Sequence, residues 1–261
     1  MATIDTSKLQ EQAIAHLWLH FTQMAGFDPD KHPVMVRGDD IYLYDSEGNR
    51  YTDFVAEYTA GLYGHSEPAI LDAVRSALSD GIVLGAPNRH EAELARLLVE
   101  RFPALDLLRF TNSGTEGNLM ALNSARAFTG KRKIMVFEHG YHGGVLSAKP
   151  GGSPTNAPYD MIYGKFNDIA GSKKLIAENA KALACVIIEP MMGGAGCLPA
   201  DKEFLQALRD ETKKHGVLFV LDEVVTSRLA PGGAGPDDEH LRAEDGGGSS
   251  HESRGRERGK R

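Results

Sequence analysis

Val217-Leu218-Phe219-Val220-Leu221-Asp222 decides how this chain folds: an unbroken apolar run that ends in a carboxylate. Such a run suits a strand buried on both faces, the kind found in parallel sheets. Lys202 to His215, just before it, keeps helical spacing, and Cys185-Val186-Ile187-Ile188-Glu189 is a second apolar run of the same type. Further back, Ala170 to Asn179 reads as a helix, Lys133 to Glu138 as a strand, Glu116 to Phe128 as a helix and Leu107 to Thr111 as a strand. Between them Gly151 to Pro158 is an irregular Gly/Pro-rich connection. Strands alternating with amphipathic helices predict an α/β fold, a doubly wound, mostly parallel sheet with helices on both faces. Ligands of such sheets bind at the carboxyl ends of the strands. Thr111, Glu138, Glu189 and Asp222 are all placed there.

Ahead of this region the pattern differs. Ser7 to Met24 is predicted to be an N-terminal helix, with Leu9, Ala13, Leu17 and Phe21 near one face. Alternating side chains around Gly-containing turns from Val34 to Phe54 predict a small antiparallel meander. Helices are expected from Pro68, carried by Ile70, Leu71, Val74 and Leu78, and from His90 to Phe102. At the far end, Ala234 to Arg261 holds Leu241 as its one large aliphatic residue and is expected to be disordered. Three segments follow: residues 1–60 with helix and meander, 61–233 as a ligand-binding large domain, and 234–261 as an aberrant tail attributed to a shifted frame or splice.

Composition narrows the functional classes. The chain has 261 residues, 41% hydrophobic and 25% charged, which is ordinary for a soluble globular protein. A formal net charge of -7 argues against a nucleic-acid partner. No apolar window reaches membrane-spanning length, and Met1 to Leu9 lacks a signal-like core. Two cysteines, Cys185 and Cys197, make no disulfide framework, so a reducing, cytoplasmic location is expected. His139 and His142 alone do not complete a metal set, and no metal is expected.

Within this frame a few residues carry chemistry. Ser113-Gly114-Thr115 opens a helix, offering unpaired N–H groups, the positive end of the helix dipole and two hydroxyls. That suits a phosphate; the plainer alternative is a simple N-cap by Ser113 or Thr115. Asp222 emerges from a dry strand and needs a positive or hydrogen-bonding partner. A protonated pyridine nitrogen would serve, as would an arginine or a loop N–H. Tyr141 could cover one face of a planar ring and Val224 the other, although a structural tyrosine in a loop is the more frequent outcome in general. No Walker A pattern, H-E-x-x-H or nucleophile elbow is present, and the missing Gly-rich fingerprint speaks against a nucleotide binder.

Taken in order, these segments resemble the class-III, pyridoxal-phosphate-dependent aminotransferases of fold type I, nearest the glutamate-1-semialdehyde 2,1-aminomutase branch. The resemblance runs from about Val34 to Gly233 through Gly61-Leu62-Tyr63-Gly64-His65-Ser66, Arg109-Phe110-Thr111-Asn112-Ser113-Gly114-Thr115-Glu116, Ala125-Arg126-Ala127-Phe128-Thr129-Gly130, Tyr141-His142-Gly143, Ile188-Glu189-Pro190 and Asp222-Glu223-Val224. It implies pyridoxal 5′-phosphate as cofactor and small-molecule amino donors and acceptors as substrates. Ser113, Gly114 and Thr115 would hold the phosphate, Tyr141 and Val224 would flank the ring with His142 alongside, Asp222 would pair with the ring nitrogen, and Glu189 would order the hydroxyl side. An intact relative is expected to be a homodimer. In the family a Schiff-base lysine lies downstream of the Asp-Glu-Val segment. Here the only lysine past Asp222 is Lys260, so no catalytic residue is assigned. The chain is accordingly expected to be truncated, to expose a sheet edge, and to act as an aminotransferase or aminomutase by descent or as an inactive cofactor-binding or regulatory fragment.

Overall fold

The computed structural model describes residues 5–17, 28, 32–102 and 104–227. The chain divides into two compact units, residues 1–86 and 87–261. The first unit therefore includes residues 61–86, which the sequence reading grouped with the large domain.

In the first unit, α1 (Thr6–His16) is capped by Asp5, whose carboxylate accepts from Lys8 N. Leu17 leaves helical backbone, so the helix is shorter than predicted; residues 18–24 lie outside the described ones. The meander forms as expected from β1 (Met35–Asp39), β2 (Tyr42–Asp45) and β3 (Arg50–Thr52), paired antiparallel in that order. Its second turn is built on Asp45, 4% exposed, which accepts from Glu47 N, from Asn49 N and Nδ2, and from the Tyr51 hydroxyl. These bonds, the Asn49 amide first, outweigh desolvation and hold the Asp45 carboxyl below its ordinary range. Helix α2 (Pro68–Ser79) starts at its proline, where the missing N–H costs nothing.

The second unit contains the parallel sheet. Helix α3 (Arg89–Arg101) opens on a reciprocal cap between Asn88 and Glu91. Helix α4 (Gly114–Thr129) leads into β4 (Lys133–Phe137), then β5 (Asp160–Gly164), α5 (Ile169–Asn179), β6 (Leu183–Ile188), a two-strand pair β7 (Met191–Met192) and β8 (Leu198–Pro199), α6 (Lys202–His215) and β9 (Leu218–Leu221). The main sheet has the order β5-β4-β6-β9, with every pairing parallel. Successive side chains alternate between its faces. Met135, Phe137, Val186 and Ile188 meet Ile176 of α5 and Phe204, Leu205 and Leu208 of α6. Ile134, Val136, Cys185 and Ile187 meet Leu122 and Ala125 of α4 on the other side. All six residues of β6 are buried, as its apolar run demands. The doubly wound architecture is thus as predicted.

Two departures have local causes. Residues 107–111 form no strand, since no strand among the described residues pairs with them and a strand exists only through a neighbour's backbone. Leu107 is 90% exposed. Conversely β5 was not anticipated, because Asp160-Met161-Ile162-Tyr163-Gly164 is an edge strand, only partly buried and without a continuous apolar run. At the opposite edge β9 leaves one side unpaired among the described residues. Residues 234–261 lie outside the described residues.

Candidate functional site

Three parallel strands deliver carboxylates to one rim: Glu138 after β4, Glu189 after β6 and Asp222 after β9. Thr111 comes from a loop instead, and its hydroxyl donates to Ser113 O at 3.2 Å. Ser113 is the N-cap of α4; its Oγ accepts Glu116 N at 3.1 Å, while Glu116 Oε2 accepts Asn112 N at 2.7 Å. The plainer reading of Ser113 is therefore realised. The first-turn N–H groups of Gly114 and Thr115 still have no carbonyl within the helix to bond.

The loop after β9 closes on that turn. A Cβ built on Gly114 would lie 2.8 Å from Val224 Cγ2, so a side chain there would push Val224 away from its present position. On the other flank Thr115 Oγ1 accepts Gly144 N at 3.3 Å. Gly143 has φ +133°, and a Cβ there would overlap the Thr115 side chain. Gly143→Ala should therefore destabilise this turn by about 1–3 kcal/mol, because both backbone and space forbid the methyl. Chemical denaturation would check it, and an unchanged midpoint would contradict the packing described.

Glu189 clamps the wall of the site. Its Oε2 accepts Tyr141 N at 2.9 Å and its Oε1 accepts Gly193 N at 3.2 Å, so one buried side chain orders two turns. Burial pushes its carboxyl above the ordinary range; the two N–H bonds and His142 oppose this without cancelling it. Tyr141 itself is 42% exposed and Val224 is 53% exposed, leaving both available to a ligand.

Asp222 is 6% exposed and His142 3%. His142 Nδ1 lies 2.8 Å from Asp222 Oδ2, which also accepts Asn118 Nδ2 at 2.7 Å. Asp222 Oδ1 accepts Val224 N at 3.2 Å. Burial by itself would raise the Asp222 carboxyl, but the bond and charge of His142, with Val224 N and Asn118, hold it below its ordinary range. It is a buried carboxylate kept ionised by donors.

The structure thus brings Ser113, Gly114, Thr115, Tyr141, His142, Glu189, Asp222 and Val224 to one rim. Asn118 was missed by the sequence reading. Its signal was a polar residue interrupting the stripe Asn118, Leu122, Ala125 at helical spacing on the buried face of α4. Burial pushes the Cys185 thiol up to about 12, which removes it as a nucleophile. Among the described residues no helix is long and apolar enough to cross a membrane, and no group of three or more His, Cys, Asp and Glu could hold a metal.

The chain is an α/β protein whose doubly wound sheet carries a helix N-terminus and a buried carboxylate on its carboxyl-end rim. The chain belongs to the class-III aminotransferase family, whose sequence pattern matches residues 27–234. A β-phenylalanine transaminase from Variovorax paradoxus is 52% identical over 200 residues, 77% of this chain and 46% of that protein. A glutamate-1-semialdehyde 2,1-aminomutase from Thermodesulfovibrio yellowstonii is 39% identical over 207 residues, 74% and 48% of the two chains. Among solved structures, the Variovorax β-phenylalanine aminotransferase matches with a TM-score of 0.80 at 47% identity, covering 87% of this chain and 53% of that one. A transaminase with PLP bound gives 0.79 at 29% identity, covering 93% and 59%. The chain spans about half the length of the curated relatives it matches.

Proposed function

We propose that this chain carries the cofactor-binding part of an enzyme that moves an amino group with pyridoxal 5′-phosphate. The observation that carries the reading is Asp222, a buried ionised carboxylate on the same rim as the N-terminus of α4. The residues present fit the group at both ends. Gly114 and Thr115 would give backbone N–H groups to the phosphate, and the Ser113 and Thr115 hydroxyls would border it. The dipole of α4 would add about 1–2 kcal/mol for an anion in that position. Tyr141 and Val224 would lie against the two faces of the ring, with His142 behind Asp222 and Glu189 holding the Tyr141 turn.

When bound, the cofactor supplies an electron sink for the carbon that gains or loses the amino group. Asp222 would keep a proton on the ring nitrogen. At ~4 Å that pairing is worth about 4 kcal/mol at an effective dielectric of 20, before desolvation. For the whole protein the proposal covers an amino acid or semialdehyde substrate, a homodimer and a cytoplasmic location. The higher identity to the β-phenylalanine transaminase favours an amino-acid substrate.

A second reading, a cofactor-binding segment without turnover of its own, is favoured by one fact: the only lysine past Asp222 is Lys260. Incubation with pyridoxal phosphate, borohydride reduction and peptide mass spectrometry separates the two. Saturable binding without a stoichiometric lysine adduct is expected for residues 1–261. A full adduct at one lysine, such as Lys165 at the end of β5, would assign catalysis to this segment. Absence of any binding would refute the cofactor assignment.

A further inference from the structure

We infer that Asn118 is a positioning residue: its amide fixes which oxygen of Asp222 the site presents and holds the His142 backbone, and with it the ring, against that carboxylate. The inference uses the cofactor reading only to name the ligand this arrangement serves. Asn118 is 8% exposed, on the face of α4 that also buries Leu122 and Ala125. Its nitrogen donates to Asp222 Oδ2 at 2.7 Å and to His142 O at 3.0 Å. Both neighbours are acceptors, so the NH2 end of the amide must face them, with each hydrogen on a different partner. Asn is a poor helix former, and an apolar residue would suit this stripe better by propensity and burial alone.

The consequence falls on the carboxylate. Oδ2 takes both His142 Nδ1 and Asn118 Nδ2, which fills its acceptor sites. Oδ1 takes the Val224 N–H at 3.2 Å and keeps acceptor capacity towards the side of the loop after β9. An ionised carboxylate only accepts, so the imidazole proton stands on Nδ1. Asn118 thus divides the two oxygens, one turned inward to the protein and one left for a cationic N–H donor. It also ties the His142 backbone to the same point, so ring and carboxylate cannot reorient independently. Glu189, the other carboxylate acting on His142, is held by Tyr141 N and Gly193 N and does not substitute for the amide.

The test uses the full chain and the variants Asn118→Leu and Asn118→Asp. In the unmodified protein, nitrogen-15 spectra should show His142 as the Nδ1-protonated form. Both Asn118 side-chain amide protons should exchange roughly a hundredfold more slowly than those of an exposed asparagine. Asn118→Leu should keep the near-ultraviolet dichroism, shift the His142 ring signals and weaken pyridoxal phosphate binding about tenfold, equal to ~1.4 kcal/mol. Asn118→Asp, equal in size but lacking donors, should weaken it further, since it sets a second acceptor against Asp222. An Asn118→Leu chain with the parent ring spectrum and parent affinity overturns the inference. Freely exchanging amide protons in the parent overturn it too, and that measurement decides the matter if a variant does not fold. If the parent binds no pyridoxal phosphate while the ring spectrum still changes in Asn118→Leu, the positioning role stands and the cofactor reading falls.

Discussion

Asp222→Ala should weaken pyridoxal phosphate binding about a hundredfold and destabilise the chain by on the order of 3 kcal/mol. Under the proposed function, the binding loss follows from removing the carboxylate that would face the ring nitrogen; a hundredfold is ~2.7 kcal/mol, within the ~4 kcal/mol of the bare pair. The stability loss has another origin. His142 Nδ1 and Asn118 Nδ2, 2.8 and 2.7 Å from Asp222 Oδ2, would be left buried without their acceptor, at about 1–3 kcal/mol each before relaxation. Asp222→Asn separates the two effects, because it keeps an acceptor oxygen and loses the charge. It should bind nearly as poorly as the alanine variant yet unfold closer to the parent.

The pH response carries a definite sign. The Asp222 carboxyl is held below its unfolded value, so its contribution to stability is present above the ordinary carboxylate range and lost as pH falls through the lowered value. Glu189 is raised, so its contribution is present at low pH and lost as pH rises through its folded value. The acid limb of a stability–pH profile should therefore flatten in Asp222→Asn. An unchanged limb would remove Asp222 from the groups that govern acid unfolding.

Phe204→Ala should cost about 3–5 kcal/mol, the largest effect on stability expected from a single truncation outside the site. Phe204 is fully buried in α6, with its ring edge-on to Phe137 at 5.4 Å and to Phe166 at 5.7 Å. Phe137 ends β4, immediately before the turn that carries Tyr141 and His142. Weaker ligand binding should therefore accompany the loss of stability, although Phe204 is absent from the rim. Urea denaturation measures the first effect, and a change below about 1 kcal/mol would mean that α6 does not seal this face of the sheet.

The parts of the fold that could be read from residues alone were those with a strong period. Val217 to Asp222 and Cys185 to Glu189 are continuous apolar runs, and β6 is buried at every position. Helix α6 was read with the bounds Lys202–His215 because its apolar stripe and its terminal Gly216 agree. β5 escaped because an edge strand has no need of a continuous apolar run, and Leu107 to Thr111 was misread because apolar character does not supply a partner strand. At the site, Ser113, Gly114, Thr115 and Asp222 stood out through helix-start and strand-end chemistry. Asn118 did not, because a lone asparagine inside a helix carries no local mark of the aspartate it will meet. That meeting is a tertiary fact.

The contact between Asn118 and Asp222 spans 104 positions and that between His142 and Asp222 spans 80. Closing loops of that length comes at an entropic cost that local helices and turns never face. A nascent chain that has emerged only as far as β6 can already hold α4 against the sheet, but its His142 and Asn118 wait for a partner still inside the ribosome. The rim therefore gains the Asp222 carboxylate in one late event, and any ligand that depends on that charge arrives after the fold, as its witness and not as its template.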